Sequence, residues 1–308
     1  MIESLGKILP ARILAIINSR LNSKKVFEIR LRSGRAVCIN YGSKLYYLCD
    51  EGICNLKEKA IVLSSRDVNE VVLRATNYSL YAVNDQLKNG FLTLKGGVRV
   101  GIAGEVVRDG EQIKTIKNFY SVNIRVPHEV IGCSDIVFKH CFEGEINNTL
   151  IISPPGSGKT TLLRDIARKL SDKNPKISVL LVDERSELAA VHDGVSQLDV
   201  GENTDCLSNC TKHYAFSLGI RSMAPNVIIT DELLGADDLQ ATMFAASCGV
   251  SVVASIHARC YEDLVNKSGF DRLLNAKIFT RIVELSSRDG PGTVTRILDE
   301  SLNVIYNS

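Results

Sequence analysis

Residues Leu150 to Leu170 read LIISPPGSGKTTLLRDIARKL. The stretch starts with an apolar run, passes through a loop of Ser, Pro and Gly, and continues as a segment with helical periodicity. The apolar residues of that segment recur on one face of a helix and the charged residues on the other. A strand, a glycine-rich loop ending in Gly-Lys-Thr and a helix, in this order, predict a phosphate-binding loop.

The residue types of this loop suit a triphosphate. Small residues let backbone N–H groups converge on one concavity, and the following helix adds the positive end of its dipole. Lys159 can reach the β- and γ-phosphates, and Thr160 can place its hydroxyl on Mg²⁺. We therefore predict that the nucleotide is held by Ser153, Pro154, Pro155, Gly156, Ser157, Gly158, Lys159, Thr160 and Thr161.

One position departs from the pattern G-x-x-x-x-G-K-S/T. Ser153 stands where the first glycine is expected, and serine adopts φ > 0 less readily than glycine. The other positions of the pattern fit, and a strand and a helix flank them, so we keep the assignment. The alternative is an ordinary strand-to-helix turn with a chance Gly-Lys-Thr, and the flanking elements argue against it.

Length and composition limit the class of protein. A chain of 308 residues is long enough for two domains, and 45% hydrophobic and 23% charged residues are ordinary for a globular protein. No apolar run approaches the about 18–20 residues of a membrane span. The N-terminal segment is amphipathic, is interrupted by Pro10, and lacks the apolar block and cleavage site of a signal peptide. These observations favour a cytoplasmic protein.

Cysteine usage and charge exclude further classes. The nine cysteines are scattered and odd in number, which argues against a disulfide framework. Cys206, Cys210 and His213 are close enough to suggest a metal site but lack a clear fourth ligand, so inert thiols are the favoured interpretation. The net charge of +2 and the absence of Trp give no indication of nucleic-acid binding.

The first part of the chain mixes helices with antiparallel strands, which predicts an α+β domain over residues 1–140. We expect one helix over residues 1–22, two strands in FEIRLRSGRAVCIN, and a polar linker at KHCFEGEINN. Within the two strands lie Arg30, Arg32 and Arg35, which could bind an anion or a partner. The solvated face of a hairpin is the favoured interpretation.

The second part, residues 141–308, alternates apolar strands with helices. Near-continuous apolar runs at 150–152, 177–182, 226–230 and 250–256 predict a parallel sheet that is buried on both faces. Strands at 281–286 and 293–298 are expected to complete it. The fold class is therefore α/β, with a RecA-like P-loop ATPase domain that follows a smaller α+β domain.

Acidic pairs close two of these strands, Asp183-Glu184 and Asp231-Glu232. Carboxyl ends of parallel strands meet at the edge that binds ligands. There one carboxylate is needed in the Mg²⁺ shell and another to activate water. We assign Asp231 to the metal shell and Glu232 to the water, and expect their strand to lie beside the phosphate-loop strand. Asp183 is a further metal candidate and Glu184 a further catalytic candidate; solvated strand ends are the alternative.

Two basic residues complete the predicted site. His257 follows the fourth strand and should sense the γ-phosphate or couple hydrolysis to movement, unless it only caps its strand. Arg221 precedes the strand of Glu232 and is a candidate for an arginine donated to a neighbouring subunit, a local salt bridge being the alternative. Arg99 and Arg125 are candidates for the same role from the first domain.

The nucleotide base is predicted from an absence in the sequence. Guanine selectivity usually requires Asn-Lys-x-Asp, but Asn266 and Lys267 are followed by Ser268 and Gly269. ATP is therefore favoured over GTP.

Several segments together resemble one family. TLIISPPGSGKTTLLRDIARKLS, VLLVDERSELA, IRSMAPNVIITDE and SIHA, with the N-terminal EIRLRSGRAV, GGVRVGIAGEVV and SVNIRV, resemble the stage III sporulation protein AA family. That family belongs to the secretion and pilus group of P-loop ATPases. The resemblance maps the family's phosphate loop onto Ser153 to Thr160, its aspartate box onto Asp183 and Glu184, its second acidic strand onto Glu232 and its histidine box onto His257.

The resemblance implies a ring-forming ATPase, expected to be a hexamer. It would use ATP and Mg²⁺ to power a channel or secretion apparatus during endospore formation. It would lie at the inner face of the mother-cell membrane, held there by integral membrane partners. Two classes of function stay open: a hydrolysing motor, which Lys159, Thr160 and Glu232 favour, and an assembly scaffold that binds ATP with little turnover. A nucleic-acid motor is disfavoured by the charge balance.

Overall fold

The computed structural model describes residues 2–42, 44–81, 83–88, 90–266, 276–288 and 290–308. The chain divides into two compact units, Met1–His128 and Glu129–Ser308. The division lies before the expected boundary at residue 140 because a helix over Asp135–Cys141 buries Val137 and Phe138 in the core of the second unit. The segment KHCFEGEINN, expected as a linker, is therefore partly helical.

Unit 1 contains a seven-stranded antiparallel sheet and four described α-helices, which agrees with the predicted α+β class. Its strands are β1 Val26–Arg32, β2 Cys38–Tyr41, β3 Lys44–Cys49, β4 Gly52–Cys54, β5 Phe91–Thr93, β6 Arg99–Asp109 and β7 Gln112–Arg125, in the order β4-β3-β2-β1-β7-β6-β5. Its helices are α1 Ile2–Ile8, α2 Ala11–Arg20, α3 Ser65–Ala75 and α4 Asn84–Lys88, with short 3₁₀ turns at Ser23–Lys25 and Lys57–Lys59.

Local sequence explains how these elements start and stop. The single helix expected over residues 1–22 is two helices, because Pro10 lacks the N–H that an uninterrupted helix needs. Helix α3 begins with a capping box between Ser64 and Asp67 and buries Val68 and Val72.

Of the arginines in the predicted hairpin, Arg30 of β1 forms an ion pair with Glu28 of the same strand, at 2.8 Å.

Unit 2 has an eight-stranded sheet in the order β10-β9-β11-β12-β8-β13-β14-β15, whose first six strands are parallel. Its strands are β8 Thr149–Ser153, β9 Val179–Asp183, β10 Thr204–Ser208, β11 Val227–Glu232, β12 Ser251–His257, β13 Arg281–Ser286, β14 Thr293–Leu298 and β15 Val304–Asn307. Its described helices are α5 Asp135–Cys141, α6 Lys159–Lys173, α7 Lys212–Met223, α8 Ala236–Ser247 and α9 Tyr261–Val265.

Two apolar cores cover the faces of this sheet. Every residue of β8 and β9 is buried, as the continuous apolar runs predicted. Strands β10 and β15 were not predicted, because β10 is only partly buried, β15 is mostly exposed, and neither short sequence alternates apolar with polar residues. Within the described ranges, no helix has both the length and the apolar character needed to cross a membrane.

The order of the central strands corrects one expectation. The prediction that the strand of Glu232 lies beside the phosphate-loop strand is wrong, since β12 lies between β11 and β8. Strand β12 pairs with both neighbours, and His257 at its end lies opposite Ser153. The end of β12 therefore places His257 between the phosphate loop and Glu232.

Candidate nucleotide-binding site

The phosphate loop connects the end of β8 to the start of α6. Gly156 and Gly158 have φ values of 76° and 85°, in the region that favours glycine. A Cβ on Gly158 would also lie 2.8 Å from the backbone nitrogen of Gly292, whose N–H donates to the Ser157 carbonyl. Ser153 is the last residue of β8 and is not among the residues with positive φ. Serine in place of glycine therefore introduces no backbone strain at this position.

Lys159 folds back onto its own loop. Its ammonium donates to the Ser153 carbonyl at 3.3 Å, the Ser153 hydroxyl at 3.2 Å and the Pro154 carbonyl at 3.2 Å. Its Nζ also lies 2.7 Å from Nδ1 of His257. Burial lowers the pKa of Lys159 to about 8, and the carboxylate of Glu232 opposes part of that shift. A negative ligand in the loop would favour the charged form.

His257 links this lysine to the acidic strand end. Nδ1 lies 2.7 Å from the Lys159 ammonium, which can only donate, and 3.3 Å from the Ser153 carbonyl, which can only accept. The shorter contact favours Nδ1 as the acceptor, and a neutral ring then carries its proton on Nε2. Nε2 lies 3.2 Å from Oε2 of Glu232. Lys159, His257 and Glu232 thus form a continuous chain of polar contacts. Arg185, which the sequence analysis did not identify, lies 3.9 Å from the same Glu232 oxygen.

Asp183 holds the loop that follows β9. Its carboxylate, fully buried, accepts four backbone N–H groups, from Glu187, Leu188, Ala189 and Ala190 at 2.8–3.2 Å. Buried Arg164 of α6 donates to the Glu187 and Leu188 carbonyls at 2.7 and 2.6 Å. Both oxygens of Asp183 are occupied, since a carboxylate has about four acceptor sites. The four bonds support a role of Asp183 as the anchor of this loop, whereas its role as a metal ligand stays a prediction.

We expect Asp183→Asn to lower the free energy of unfolding by about 3 kcal/mol or more, because an amide cannot accept N–H groups at both of its heavy atoms. Urea unfolding followed by circular dichroism measures the change. The matched control is Asp205→Asn on an exposed position of the neighbouring strand, which should change the value by less than about 0.5 kcal/mol. Equal stabilities of the two variants would contradict the anchoring role.

Glu184 and Asp231 share a lysine that sequence reasoning missed. Only 1% of the Lys212 side chain is exposed, and its Nζ lies 2.5 Å from Glu184, 2.9 Å from Asp231 and 3.9 Å from Asp238. Burial acts to lower the pKa of Lys212, but the surrounding carboxylates, Asp231 first, raise it above its ordinary value. For Asp231, burial acts in the other direction and raises the pKa to about 6, although the nearby Lys212 ammonium opposes this shift. In the sequence Lys212 only starts a helix, so no local signal marks it.

A cavity of about 290 Å³ lies over the phosphate loop. Its lining comprises Pro155, Gly156, Ser157, Gly158, Lys159, Thr160, Thr161, Arg185, Glu187, Asp231, Glu232, Ser255 and His257. Most of the predicted binding residues, with both members of the second acidic pair and His257, are thus brought together. Glu184 does not line this cavity.

Arg221 lies elsewhere. It is exposed in the last turn of α7, before the start of β11, whereas Glu232 ends that strand. A strand of this length spans about 20 Å. Arg221 therefore lies at the amino ends of the parallel strands, whereas the cavity of its own chain lies at their carboxyl ends.

The donor set suits a nucleotide with Mg²⁺. Thr160 and Asp231 line one cavity, and hydroxyl and carboxylate oxygens are the ligands that Mg²⁺ prefers. The buried Ser157 hydroxyl has no hydrogen-bond partner within the described part of the chain, and it lies in the loop that would face phosphates. Of the residues that the structure describes, no three His, Cys, Asp or Glu side chains are arranged to hold a metal ion by themselves. Cys206, Cys210 and His213 are among these residues and form no such group. Lys267, Ser268 and Gly269 lie outside the described residues.

The fold and the loop define the class of protein: a RecA-like P-loop domain that follows a smaller α+β unit along the chain. Solved structures with a similar fold include the ATPase DotB of Legionella pneumophila, with a TM-score of 0.58 and 16% identity over 90% of this chain and 78% of that one. The pilus retraction motor PilT with bound ADP gives a TM-score of 0.60 and 16% identity over 89% of this chain and 78% of that one. The predicted fold class is confirmed.

The sequence comparisons identify the family. The family model described as sporulation stage III, protein AA matches residues 2–305. The chain is 36% identical over 285 residues to stage III sporulation protein AA of Bacillus subtilis strain 168, covering 91% of this chain and 89% of that one. The chain therefore belongs to the sporulation stage III protein AA family, which confirms the resemblance found in the sequence.

Proposed function

We propose that this protein binds ATP with Mg²⁺, hydrolyses the bond to the γ-phosphate, and works as one subunit of a ring that drives a membrane-bound channel or secretion apparatus during endospore formation. The observation that carries the proposal is the single cavity that joins the glycine loop, Lys159 and Thr160 to Asp231 and Glu232. Such a cavity combines phosphate binding with the carboxylates that hydrolysis requires.

Binding is the first step. Backbone N–H groups of the loop and the N-terminus of α6 would hold the phosphates. Lys159 would leave the Ser153 and Pro154 carbonyls, which are weak partners for a charge, and bind the more negative phosphate oxygens. Thr160 and Asp231 would hold the Mg²⁺, which when bound neutralises charge on the phosphates.

Hydrolysis is assigned to Glu232. A water oxygen attacks the γ-phosphorus, its proton passes to the Glu232 carboxylate, and ADP leaves with the electron pair of the broken bond. Glu184 is the weaker candidate because it is paired with Lys212 and does not line the cavity. When Lys159 turns to the phosphates, Nδ1 of His257 loses the ammonium and keeps its contact with the Ser153 carbonyl, so His257 would report the occupancy of the loop to Glu232.

Ring formation and membrane partners are the broader part of the proposal. The fold neighbours carry the descriptions ATPase and pilus retraction motor, and a motor of this kind must pass force between subunits. We propose a homo-oligomer, with a hexamer as the expected size, held at the cytoplasmic face of the mother-cell membrane by integral membrane partners. Nucleic acid is not a proposed partner. Mass measurement in solution with and without ATP tests the assembly.

The alternative function is a scaffold that binds ATP and assembles without appreciable turnover. The observation that favours it is that Lys159 contacts its own loop and His257. A lysine held in this way would not act on the phosphates until a partner released it. Phosphate release measured with and without the membrane components separates the two functions. A motor turns over ATP in at least one condition, whereas a scaffold does so in neither.

We expect Lys159→Ala to lower ATP affinity on the order of 10²-fold, because charge-assisted hydrogen bonds of the ammonium are lost. Titration with a fluorescent ATP analogue measures the affinity. Lys173→Ala, at the far end of the same helix, is the matched control and should bind normally. Unchanged affinity in Lys159→Ala would overturn the phosphate-loop assignment.

A further inference from the structure

Lys212 has unusual surroundings for a lysine in the described part of the protein. Its side chain is among the largest that are fully buried, and it starts α7, outside the lining of the nucleotide cavity. Three carboxylates from three different elements surround its ammonium: Glu184 after β9, Asp231 in β11 and Asp238 in α8. The buried ammonium is thus the shared cation of three partly buried carboxylates, and Glu184, at 34% exposure, is the most accessible of them.

The position of that cation matters because Asp231 belongs to two sites. One side of its carboxylate contacts Lys212 at 2.9 Å, and the residue also lines the cavity over the phosphate loop. A divalent ion that bound Glu184 and Asp231 together would need the space that the ammonium fills. Lysine is a compact point charge with three donors, so it can replace such an ion between two carboxylates.

The same cation serves the charge balance of the site. Without it, the carboxylates of Glu184, Asp231 and Asp238 would place uncompensated negative charge next to a cavity that is to receive a triphosphate.

No three metal-ligating side chains of the described ranges are arranged to hold a metal ion. Mg²⁺ commonly uses one or two carboxylates together with substrate phosphates.

We propose that Lys212 is a tethered counter-ion that fills the cation position between Glu184 and Asp231, so that a divalent ion reaches Asp231 only together with a nucleotide. The second half of this statement rests on the proposed function. The first half concerns the nucleotide-free protein alone. Lys212 acts through Glu184 and Asp231 and is therefore a positioning residue.

The test is divalent-ion binding by the nucleotide-free, full-length chain. Mn²⁺ is the probe, since it prefers oxygen ligands and its free form gives a measurable electron paramagnetic resonance signal. The wild type and Lys212→Arg, which keeps the charge, should show no saturable binding. Lys212→Met should gain one Mn²⁺ per chain with a dissociation constant on the order of 10⁻³ M, the range of weak carboxylate sites. Lys212→Met with Glu184→Gln should lose that gain.

Folding of the variants is controlled separately. Circular dichroism shows whether Lys212→Met is folded, and Lys212→Met with Asp238→Asn removes the most distant of the three carboxylate charges while keeping the Glu184 and Asp231 pair. If either variant is unfolded alone, Mn²⁺ should restore its folding, because the ion replaces the missing cation. A variant that stays unfolded at saturating Mn²⁺ contradicts the proposal.

Other outcomes are equally decisive. Saturable Mn²⁺ binding by the nucleotide-free wild type, or a folded Lys212→Met that binds none, overturns the proposal. Equal gains in Lys212→Arg and Lys212→Met would show that charge is not the reason. An ATP titration of the wild type tests the proposed function by itself. Its failure would remove the link to the nucleotide and leave the Mn²⁺ result unchanged.

Discussion

Subunits that carry Arg221→Ala should bind ATP normally and hydrolyse it about 10³–10⁵-fold more slowly, the effect of removing an arginine donated in trans. Arg221 is exposed near the amino ends of the parallel strands, whereas the cavity of its own chain lies at their carboxyl ends. It can therefore serve a nucleotide only in a neighbouring subunit. Phosphate release at saturating ATP measures the loss, and a binding titration shows that affinity is kept.

Mixing distinguishes donation in trans from a structural role. Lys159→Ala subunits lack a phosphate-binding lysine but keep Arg221, and Arg221→Ala subunits have the reverse defect. Each variant alone should be inactive. The mixture should recover part of the activity at those sites where the phosphate loop of an Arg221→Ala subunit faces the Arg221 of a Lys159→Ala subunit. Lys176→Ala, an exposed basic residue of the loop that precedes β9, is the control and should be active alone.

One result would remove Arg221 from the mechanism. If mass measurement shows mixed oligomers but the mixture is no more active than its parts, Arg221 does not act in trans. Arg99 and Arg125 of unit 1 would be the next candidates, to be tested by the same mixing experiment.

Glu232→Gln should bind ATP and hydrolyse it about 10²–10⁴-fold more slowly, the range for a lost general base. The amide keeps the size of the side chain but cannot take the proton of the attacking water. The effect should appear in kcat and leave the ATP affinity unchanged, because Glu232 does not belong to the phosphate loop. Single-turnover hydrolysis with a radiolabelled γ-phosphate measures the chemical step directly.

Glu184→Gln is the matched control for this prediction. Glu184 is the equivalent residue of the other acidic pair, but Lys212 holds it at 2.5 Å and it does not line the cavity. Its loss should change hydrolysis much less than Glu232→Gln. If Glu232→Gln turns over normally and Glu184→Gln does not, the roles of the two glutamates must be exchanged.

Much of unit 2 followed from the sequence because its signals are local. The phosphate loop needs a few residue types at fixed spacing, and strands such as β8 and β9 are buried on both faces, so their apolar runs are continuous. The carboxyl edge of a parallel sheet also placed Glu232 and His257 on the same side as the loop.

Tertiary structure decided what depends on the order of strands and on side chains distant in sequence. Insertion of β12 between β8 and β11 places His257 between Lys159 and Glu232, which no spacing along the chain expresses. The four N–H groups on Asp183 arise from the path of the loop after β9.

The role of Lys212 shows the same limit. In the sequence it is one lysine at the start of a helix, and its meaning comes from Glu184, Asp231 and Asp238, which three other segments bring around it. Residue types and periodicity determined which helices and strands form and which residues lie at the carboxyl ends of the parallel strands, where ligands bind. Packing alone determined which of those carboxylates is neutralised and which faces the cavity, because pairing of buried charges depends on distances between segments far apart in the chain.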